Sequence, residues 1–304
     1  MSHRIAVCVP TLNAGSQWPL WLATTREGLT NHMRLVVADS SSDDETASLA
    51  RAAGAEVIHI ERAAFNHGGT RNQLLHALSD CDVVIFLTQD ALLADADSLV
   101  ELANSFITPN IGAAFGRQLP HHNATPIAAH ARLFNYPTAS RTVSQADIPK
   151  LGIKTAFLSN SFAAYRRQAL IEAGGFPEHV ILSEDMMAGA RLLKQGWHLA
   201  YNANACVHHS HNYSMREEFK RYFDIGVFHA QEHWLIEWLG KAEGEGLRFL
   251  QSEIRYLLKH APYSLPSAAL RTVFKYLGYR LGCGHSTLPT PYKKKLSMHP
   301  SFWR

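Results

Sequence analysis

The sequence predicts an α/β protein: a mostly parallel sheet flanked by helices, followed by a helical C-terminal region. Three observations lead there. The first ninety or so residues alternate short apolar runs with amphipathic stretches, and repeated strand–helix–strand units of that length build parallel sheets covered by helices. Polar residues close the apolar runs, where ligands bind in such sheets, beyond the carboxyl ends of the strands. From Met215 onward the pattern becomes helical.

Taken in order, Ile5–Val9 reads as a strand and Trp18–Leu29 as an amphipathic helix. Leu35–Ala38 is the next strand, closed by Asp39. Ser42-Asp43-Asp44-Glu45 matches the Ser-x-x-Glu capping box, which satisfies orphan amides at a helix start; that helix would run to Ala53 and stop at Gly54. Val57–Ile60, a loop and helix through Arg71–Leu78, and the strand Val83–Leu87 continue the alternation. Periodicity weakens between Leu119 and Lys154, which reads as a long, partly irregular connection. Structure resumes at Phe157–Tyr165, with a short helix from Arg167 and a turn at Gly174-Gly175-Phe176-Pro177. Glu184–Gln195 has helical spacing and ends at Gly196. His198–Tyr201 and Ala205–His208 read as two short strands, and Arg216–Leu239, Leu247–His260 and Pro266–Leu281 as helices.

Composition narrows the class. With 304 residues, 46% hydrophobic and 18% charged, the chain can bury one large core, or one core and a smaller appended unit. A formal charge of +3, with no basic stretch interleaved with aromatics along the main body, argues against nucleic acid as a partner. Cys8, Cys81, Cys206 and Cys283 form no Cys-x-x-Cys pair and read as reduced cysteines of a cytoplasmic protein. The apolar run after Met1-Ser2-His3-Arg4 is too short for a signal peptide. No stretch reaches the roughly 18 apolar residues that span a bilayer, so any membrane contact would be peripheral.

Chemistry concentrates in a few places. Thr11 and Asn13 follow the first strand, Asp39 the second, Gln89 and Asp90 the fourth. Glu184-Asp185 opens a helix, whose macrodipole keeps a carboxylate ionised; acidic enrichment in a first helical turn is also common for purely structural reasons. Two glycines, Gly68 and Gly69, precede a helix and let amides approach a phosphate or sugar. Arg71 beside them suits a diphosphate or a structural salt bridge. In an extended segment alternate residues face one way, so His209 and His211 can act together, as metal ligands or in loop and acceptor contacts. The tail combines aromatic positions with Arg271, Lys275, Arg280 and Lys293-Lys294-Lys295. Such helices sit on anionic lipid or simply pack with solvated lysines.

The ordered marks are Pro10-Thr11-Leu12-Asn13, Val36-Val37-Ala38-Asp39, Asn66-His67-Gly68-Gly69-Thr70-Arg71-Asn72, Thr88-Gln89-Asp90, Gly174-Gly175-Phe176, Ser183-Glu184-Asp185 and His208-His209-Ser210-His211. Over roughly residues 4 to 215 they resemble glycosyltransferase family two, inverting enzymes with the GT-A fold, a Rossmann-like sheet flanked by helices. Phe65–Asn72 and the tail Lys294–Pro300 with Phe302-Trp303 look like those of bacterial rhamnosyltransferases that use dTDP-L-rhamnose.

The resemblance implies a catalytic domain over residues 1–215 and a helical region over 216–304 for acceptor or membrane-surface contact. It implies a nucleotide-diphosphate sugar donor, dTDP-β-L-rhamnose, lying over Thr11, Asn13, Asp39, Gly69, Arg71, Gln89 and Asp90. Asp39 would accept the N3–H of the base. The acceptor would be a saccharide or lipid-linked saccharide of a surface polysaccharide or lipopolysaccharide, met in the cytoplasm or at the inner face of its membrane. Asp185, second in the Glu-Asp pair, would be the catalytic base. Asp90 would hold Mg²⁺ or Mn²⁺ with His209 or His211. Here Thr88 stands in the first position of the family's Asp-x-Asp motif, which leaves one carboxylate to the metal. Rival expectations are a UDP-sugar-dependent transferase of the same fold, a sugar-1-phosphate nucleotidyltransferase, and a non-catalytic nucleotide-sugar binding protein.

Overall fold

Alternate residues of the central strands enter two different cores. Ala6, Cys8, Val36, Ala38, Val84 and Phe86 pack on one face of the sheet, with Leu74, Leu170, Met187 and Phe223 from covering helices. Val7, Val9, Leu35, Val37, Val83 and Ile85 pack on the other, with Trp18, Trp21, Ala50 and Leu99. A sheet covered on both faces explains why Val83–Leu87 reads as an unbroken apolar run instead of an alternating one. Each large side chain fully withdrawn from water, such as Phe86, contributes about 1.5–3 kcal/mol of transfer free energy.

The computed structural model describes residues 3–242 and 244–303. Residues 1, 2 and 304, the outer limits of the two expected regions, and residue 243 lie outside the described residues. The strands are β1 (Ile5–Thr11), β2 (Met33–Asp39), β3 (Glu56–His59), β4 (Val83–Leu87), β5 (Leu92–Leu93), β6 (Ile111–Leu119), β7 (Arg141–Val143), β8 (Phe162–Arg166) and β9 (His198–His208). They form one sheet in the order β3-β2-β1-β4-β8-β6-β9-β5, with β7 also on β9. The first four pair in parallel. β8 inserts antiparallel between β4 and β6, β6 and β9 run parallel, and β5 and β7 are antiparallel to β9.

Helices α1 (Trp18–Gly28), α2 (Thr46–Ala52), α3 (His67–Ala77) and α4 (Ser98–Asn104) belong to the first half. α5 (Pro126–Asn135), α6 (Ile148–Leu151), α7 (Arg167–Glu172) and α8 (Glu184–Lys194) belong to the second. The C-terminal region is α9 (Met215–Gln231), α10 (His233–Leu239), α11 (Glu245–His260), α12 (Leu265–Cys283) and α13 (Thr290–Leu296). Its Phe223, Val227, Leu235 and Trp303 share the core of the first sheet face. α12 lies close on α9 because Gly282 has no side chain; a Cβ there would stand 2.0 Å from the Phe223 carbonyl oxygen.

Three local expectations are corrected. The Ser42–Glu45 capping box does not form, because the Ser42 hydroxyl donates to Asp39 Oδ1 at 2.6 Å, and α2 begins later, at Thr46. The stretch 119–154 contains a ten-residue helix, α5, whose start carries Thr125 as N-cap and Pro126 in the first turn. The two short strands expected at 198–208 are one strand, β9. Its register against β6 jumps between Gly116↔Asn202 and Arg117↔Cys206, so Ala203–Ala205 bulge out.

Candidate active site

Strand pairing builds the first half of the site. β5 and β9 pair antiparallel with Leu92 opposite His208, which carries Asp90 toward the residues just after β9. His209 Nε2 lies 3.4 Å and His211 Nε2 3.7 Å from Asp90 Oδ2. The three ligand atoms fall within 4.8 Å of one another.

The protonation of His209 follows from its neighbours. Gln118, on β6, receives a 2.5 Å hydrogen bond from Arg132 Nη1. Arginine only donates, so the facing Gln118 atom is the oxygen, and His209 Nδ1, 2.9 Å from that oxygen, must carry a proton. A neutral His209 therefore turns an Nε2 lone pair toward the Asp90 carboxylate. Two acceptors face each other there, an arrangement that a cation between them relieves. Burial above all pushes His211 down to about 4, which leaves it neutral and able to ligate near pH 7. Burial raises the Asp90 carboxyl; when His209 is protonated instead, its hydrogen bond and charge together outweigh burial and hold that carboxyl well below its usual range. One carboxylate and two imidazoles with a hydrogen-bonded outer partner fit a divalent transition-type ion such as Mn²⁺ better than all-oxygen Mg²⁺. A cleft of about 370 Å³ opens over Asp90 and His211, lined also by Gln17, His121, Asn123 and Tyr213. A slightly larger one, about 430 Å³ beside Arg141 and Asn204, holds none of the expected site residues.

The second half is the start of α8. Asp185 Oδ2 accepts the Asn160 N–H at 3.1 Å and Oδ1 accepts its neighbour Met186 N–H at 2.8 Å. Burial first, and the adjacent Glu184 charge second, push Asp185 up to about 7. Burial also raises Glu184, but Arg71, His67 and the Asn160 hydrogen bond together outweigh it and keep that carboxyl low; Arg71 Nη1 stands 3.1 Å from Glu184 Oε1, both side chains buried. Adjacent carboxyls are thus driven apart, one permanently charged and one poised to exchange a proton near neutrality.

A hydrogen-bonded path ties the halves together. Gln118 Nε2 donates to Ser159 Oγ at 2.8 Å, and the next residue, Asn160, holds Asp185. The Asn160 side chain also donates to Glu184 Oε1 at 3.1 Å and accepts from the Tyr165 hydroxyl at 2.8 Å.

Among the remaining expected residues, Asp39 is buried at the end of β2 and accepts hydrogen bonds from Thr11 Oγ1, Ser42 N and Ser42 Oγ. Asn13, at a φ of 47°, accepts the Asp43 N–H at 2.8 Å and so links the loops after β1 and β2. Gln89 clamps the Leu12 backbone from both sides, accepting at 2.9 Å and donating at 3.2 Å. The glycine loop is occupied by its own fold: the N–H groups of Gly68 and Gly69 both donate to the N-cap Asn66. Asn66 donates to the Glu178 carbonyl, and Asn72 exchanges hydrogen bonds with the Phe176 backbone. This loop and Arg71 therefore brace the segment leading to Asp185. Sequence reasoning missed Gln118, Arg132, Ser159 and Asn160; the Thr125-Pro126 helix start was a signal that could have drawn attention to Arg132.

The fold and this constellation define a GT-A glycosyltransferase. The chain belongs to glycosyltransferase family 2: residues 3–224 match the family described as Glycosyltransferase like family 2. It is 50% identical over 301 residues to the O-antigen chain rhamnosyltransferase RfbN of Salmonella typhimurium, covering 99% of this chain and 96% of the relative. To the O-antigen chain rhamnosyltransferase WbaN of Salmonella anatum it is 48% identical over 296 residues, covering 97% and 94%. Among solved structures it resembles the mannosyltransferase PcManGT of Pyrobaculum calidifontis, in complex with GDP-Man and Mn²⁺, with a TM-score of 0.59 at 20% identity, covering 99% and 85%. S. aureus TarS 1-349 in complex with UDP-GlcNAc is similar at a TM-score of 0.56 and 14% identity, covering 97% and 84%. At those identities the structures speak for the fold alone.

Proposed function

We propose that this chain transfers L-rhamnose from dTDP-β-L-rhamnose to an acceptor hydroxyl of a growing O-antigen saccharide, inverting the anomeric carbon. The observation that carries the proposal is similarity near 50% identity, over almost the whole chain, to two O-antigen chain rhamnosyltransferases, joined to a carboxylate poised near neutrality and a triad that could hold a metal ion. Family membership sets aside the nucleotidyltransferase and the non-catalytic binding protein.

In this reading the nucleotide lies over Thr11, Asn13 and Asp39, with Asp39 accepting the N3–H of thymine. Asp90, His209 and His211 hold Mn²⁺ or Mg²⁺. When bound, the ion neutralises charge growing on the departing diphosphate. Asp185 accepts the acceptor's proton as that oxygen attacks C1 and the bond from C1 to the diphosphate breaks. Arg71 acts through Glu184: it holds that neighbour ionised, which helps keep Asp185 basic. Gln89 positions the loop after β1 by its grip on Leu12.

The acceptor is lipid-linked, and residues 216–304 form the region that meets it at the inner face of the cytoplasmic membrane. In this reading the contact is peripheral; no helix among the described residues is long and apolar enough to cross a membrane.

Thermal stabilisation by nucleotide sugars with and without Mn²⁺ tests the donor, because a ligand that binds only the folded chain raises Tm by mass action. A Mn²⁺-dependent rise with dTDP-rhamnose, larger than with UDP- or GDP-sugars, is expected. A larger rise with a UDP-sugar would overturn the donor assignment.

A further inference from the structure

The charges of the chain are unevenly placed. Residues 246–304 contain ten of the 29 Lys and Arg but only one of the 26 Asp and Glu, and that one, Glu253, is buried. Among the described residues this segment therefore shows water no acidic side chain, while Arg255, Lys259, Arg280, Lys294 and Lys295 are exposed.

The apolar residues are uneven too. Of the fourteen large apolar side chains left exposed among the described residues, ten lie between Leu247 and Tyr292. Leu270, Val273, Leu277 and Leu281 recur at spacings of three and four along α12, which puts them on one face. Leu247, Ile254 and Leu258, spaced by seven and four, share a face of α11, and Tyr263, 80% exposed, marks the turn between the two helices.

α12 reverses the usual arrangement of a surface helix. Its inner face carries Arg271 and Lys275, paired with Glu218 at 3.3 and 3.6 Å, together with Ala268, Gly278 and Gly282 against the rest of the fold. Its outer face carries the leucines. An apolar stripe turned to water, beside cations with no carboxylate partner among the described residues, matches a surface that is oily below and negatively charged above. A second copy of the chain suits it poorly, since two such faces would oppose cation to cation.

We infer that the outer faces of α11 and α12, with the lysines of α13, dock the enzyme on an anionic lipid bilayer. The apolar side chains enter the acyl boundary and the cations lie among the headgroup phosphates. The inference rests on the transferase reading only for its purpose, which is to bring the site to a lipid-linked acceptor.

Vesicle sedimentation of the full chain tests it, comparing phosphatidylcholine containing phosphatidylglycerol with pure phosphatidylcholine. Binding to the anionic vesicles alone, weakened by salt, is expected. Replacing Lys259 and Arg280 by Gln should weaken binding about fivefold per charge, from the ~1 kcal/mol that each surface cation supplies. The pair Leu277→Ser and Leu281→Ser should weaken it further, while transfer to a water-soluble acceptor stays unchanged. Equal binding to neutral vesicles, no binding, or undiminished binding by both sets of variants would overturn the inference. A dimer that Leu277→Ser breaks, in a chain that ignores vesicles, would assign the face to a second copy. Asp185→Asn, silent in transfer, should bind vesicles like the parent. A parent that binds vesicles yet transfers no rhamnose would instead remove the transferase reading and leave the surface standing.

Discussion

The side-chain oxygen of Gln118 accepts two hydrogen bonds, from Arg132 Nη1 at 2.5 Å and from His209 Nδ1 at 2.9 Å. The first identifies the atom and the second then fixes the imidazole, so that Nε2 faces Asp90 ready to ligate. An outer partner of this kind is worth about 10–100-fold in metal affinity. Gln118→Ala should therefore weaken Mn²⁺ binding by about that factor, read from Mn²⁺ titration of transfer. Unchanged affinity would remove Gln118 from the metal site.

Asp185 must be ionised to take a proton, and its carboxyl sits up at about 7. Below that pH the base is protonated, so kcat/KM should rise with pH to a plateau above about 7. Asp185→Asn should lower kcat about 10²–10⁴-fold, flatten that limb and leave donor affinity near normal.

The same shift acts on stability. A folded-state pKa above the unfolded carboxylate value gives stability that is present at low pH and is lost as pH rises toward about 7. Asp185→Asn removes this loss. Its Tm should exceed the parent's at pH 8 and converge with it near pH 4; a lower Tm at pH 8 would contradict the strained environment assigned to Asp185.

Arg71 and Glu184 are both buried and 3.1 Å apart. Removing the cation strands a buried carboxylate, which costs about 3–5 kcal/mol. Arg71→Met should lower the denaturant midpoint accordingly and change dTDP affinity little. A stable variant with greatly weakened dTDP binding would place Arg71 on the diphosphate.

Two adjacent glycines should behave differently. A Cβ on Gly68 would stand 2.0 Å from the Pro177 carbonyl oxygen, whereas one on Gly69 meets the Glu178 carboxyl at 3.4 Å and the Asn66 Cβ at 3.5 Å, both ordinary contacts. Gly68→Ala should cost at least about 1–3 kcal/mol as an overpacked site, while Gly69→Ala should be nearly neutral. Equal melting curves for the two variants would refute the close approach.

Much of the first half of the fold was legible because its strands are apolar runs closed by a polar residue, as in Leu35–Asp39 and Val83–Leu87. β6 was not read: Ile111–Leu119 includes two glycines and two alanines, and it is a strand because β8 and β9 flank it. Asp90, His209 and His211 were legible by type and position, but their meeting depends on the β5–β9 pairing, more than a hundred residues apart in sequence. Gln118 carries no charge and sits in that unread strand, so nothing local marked it. At Ser42 the local pattern misled, because the Asp39 carboxylate competes for the hydroxyl that a capping box needs.

The measurement closest to the central claim is the anomeric configuration of the product made from dTDP-β-L-rhamnose with Mn²⁺ and an O-antigen saccharide acceptor, followed by NMR. An α-L-rhamnoside, released with dTDP, is expected from the parent, and at most a trace of it from Asp185→Asn. A β-linked product, or equal turnover by Asp185→Asn, would contradict a single displacement assisted by this base.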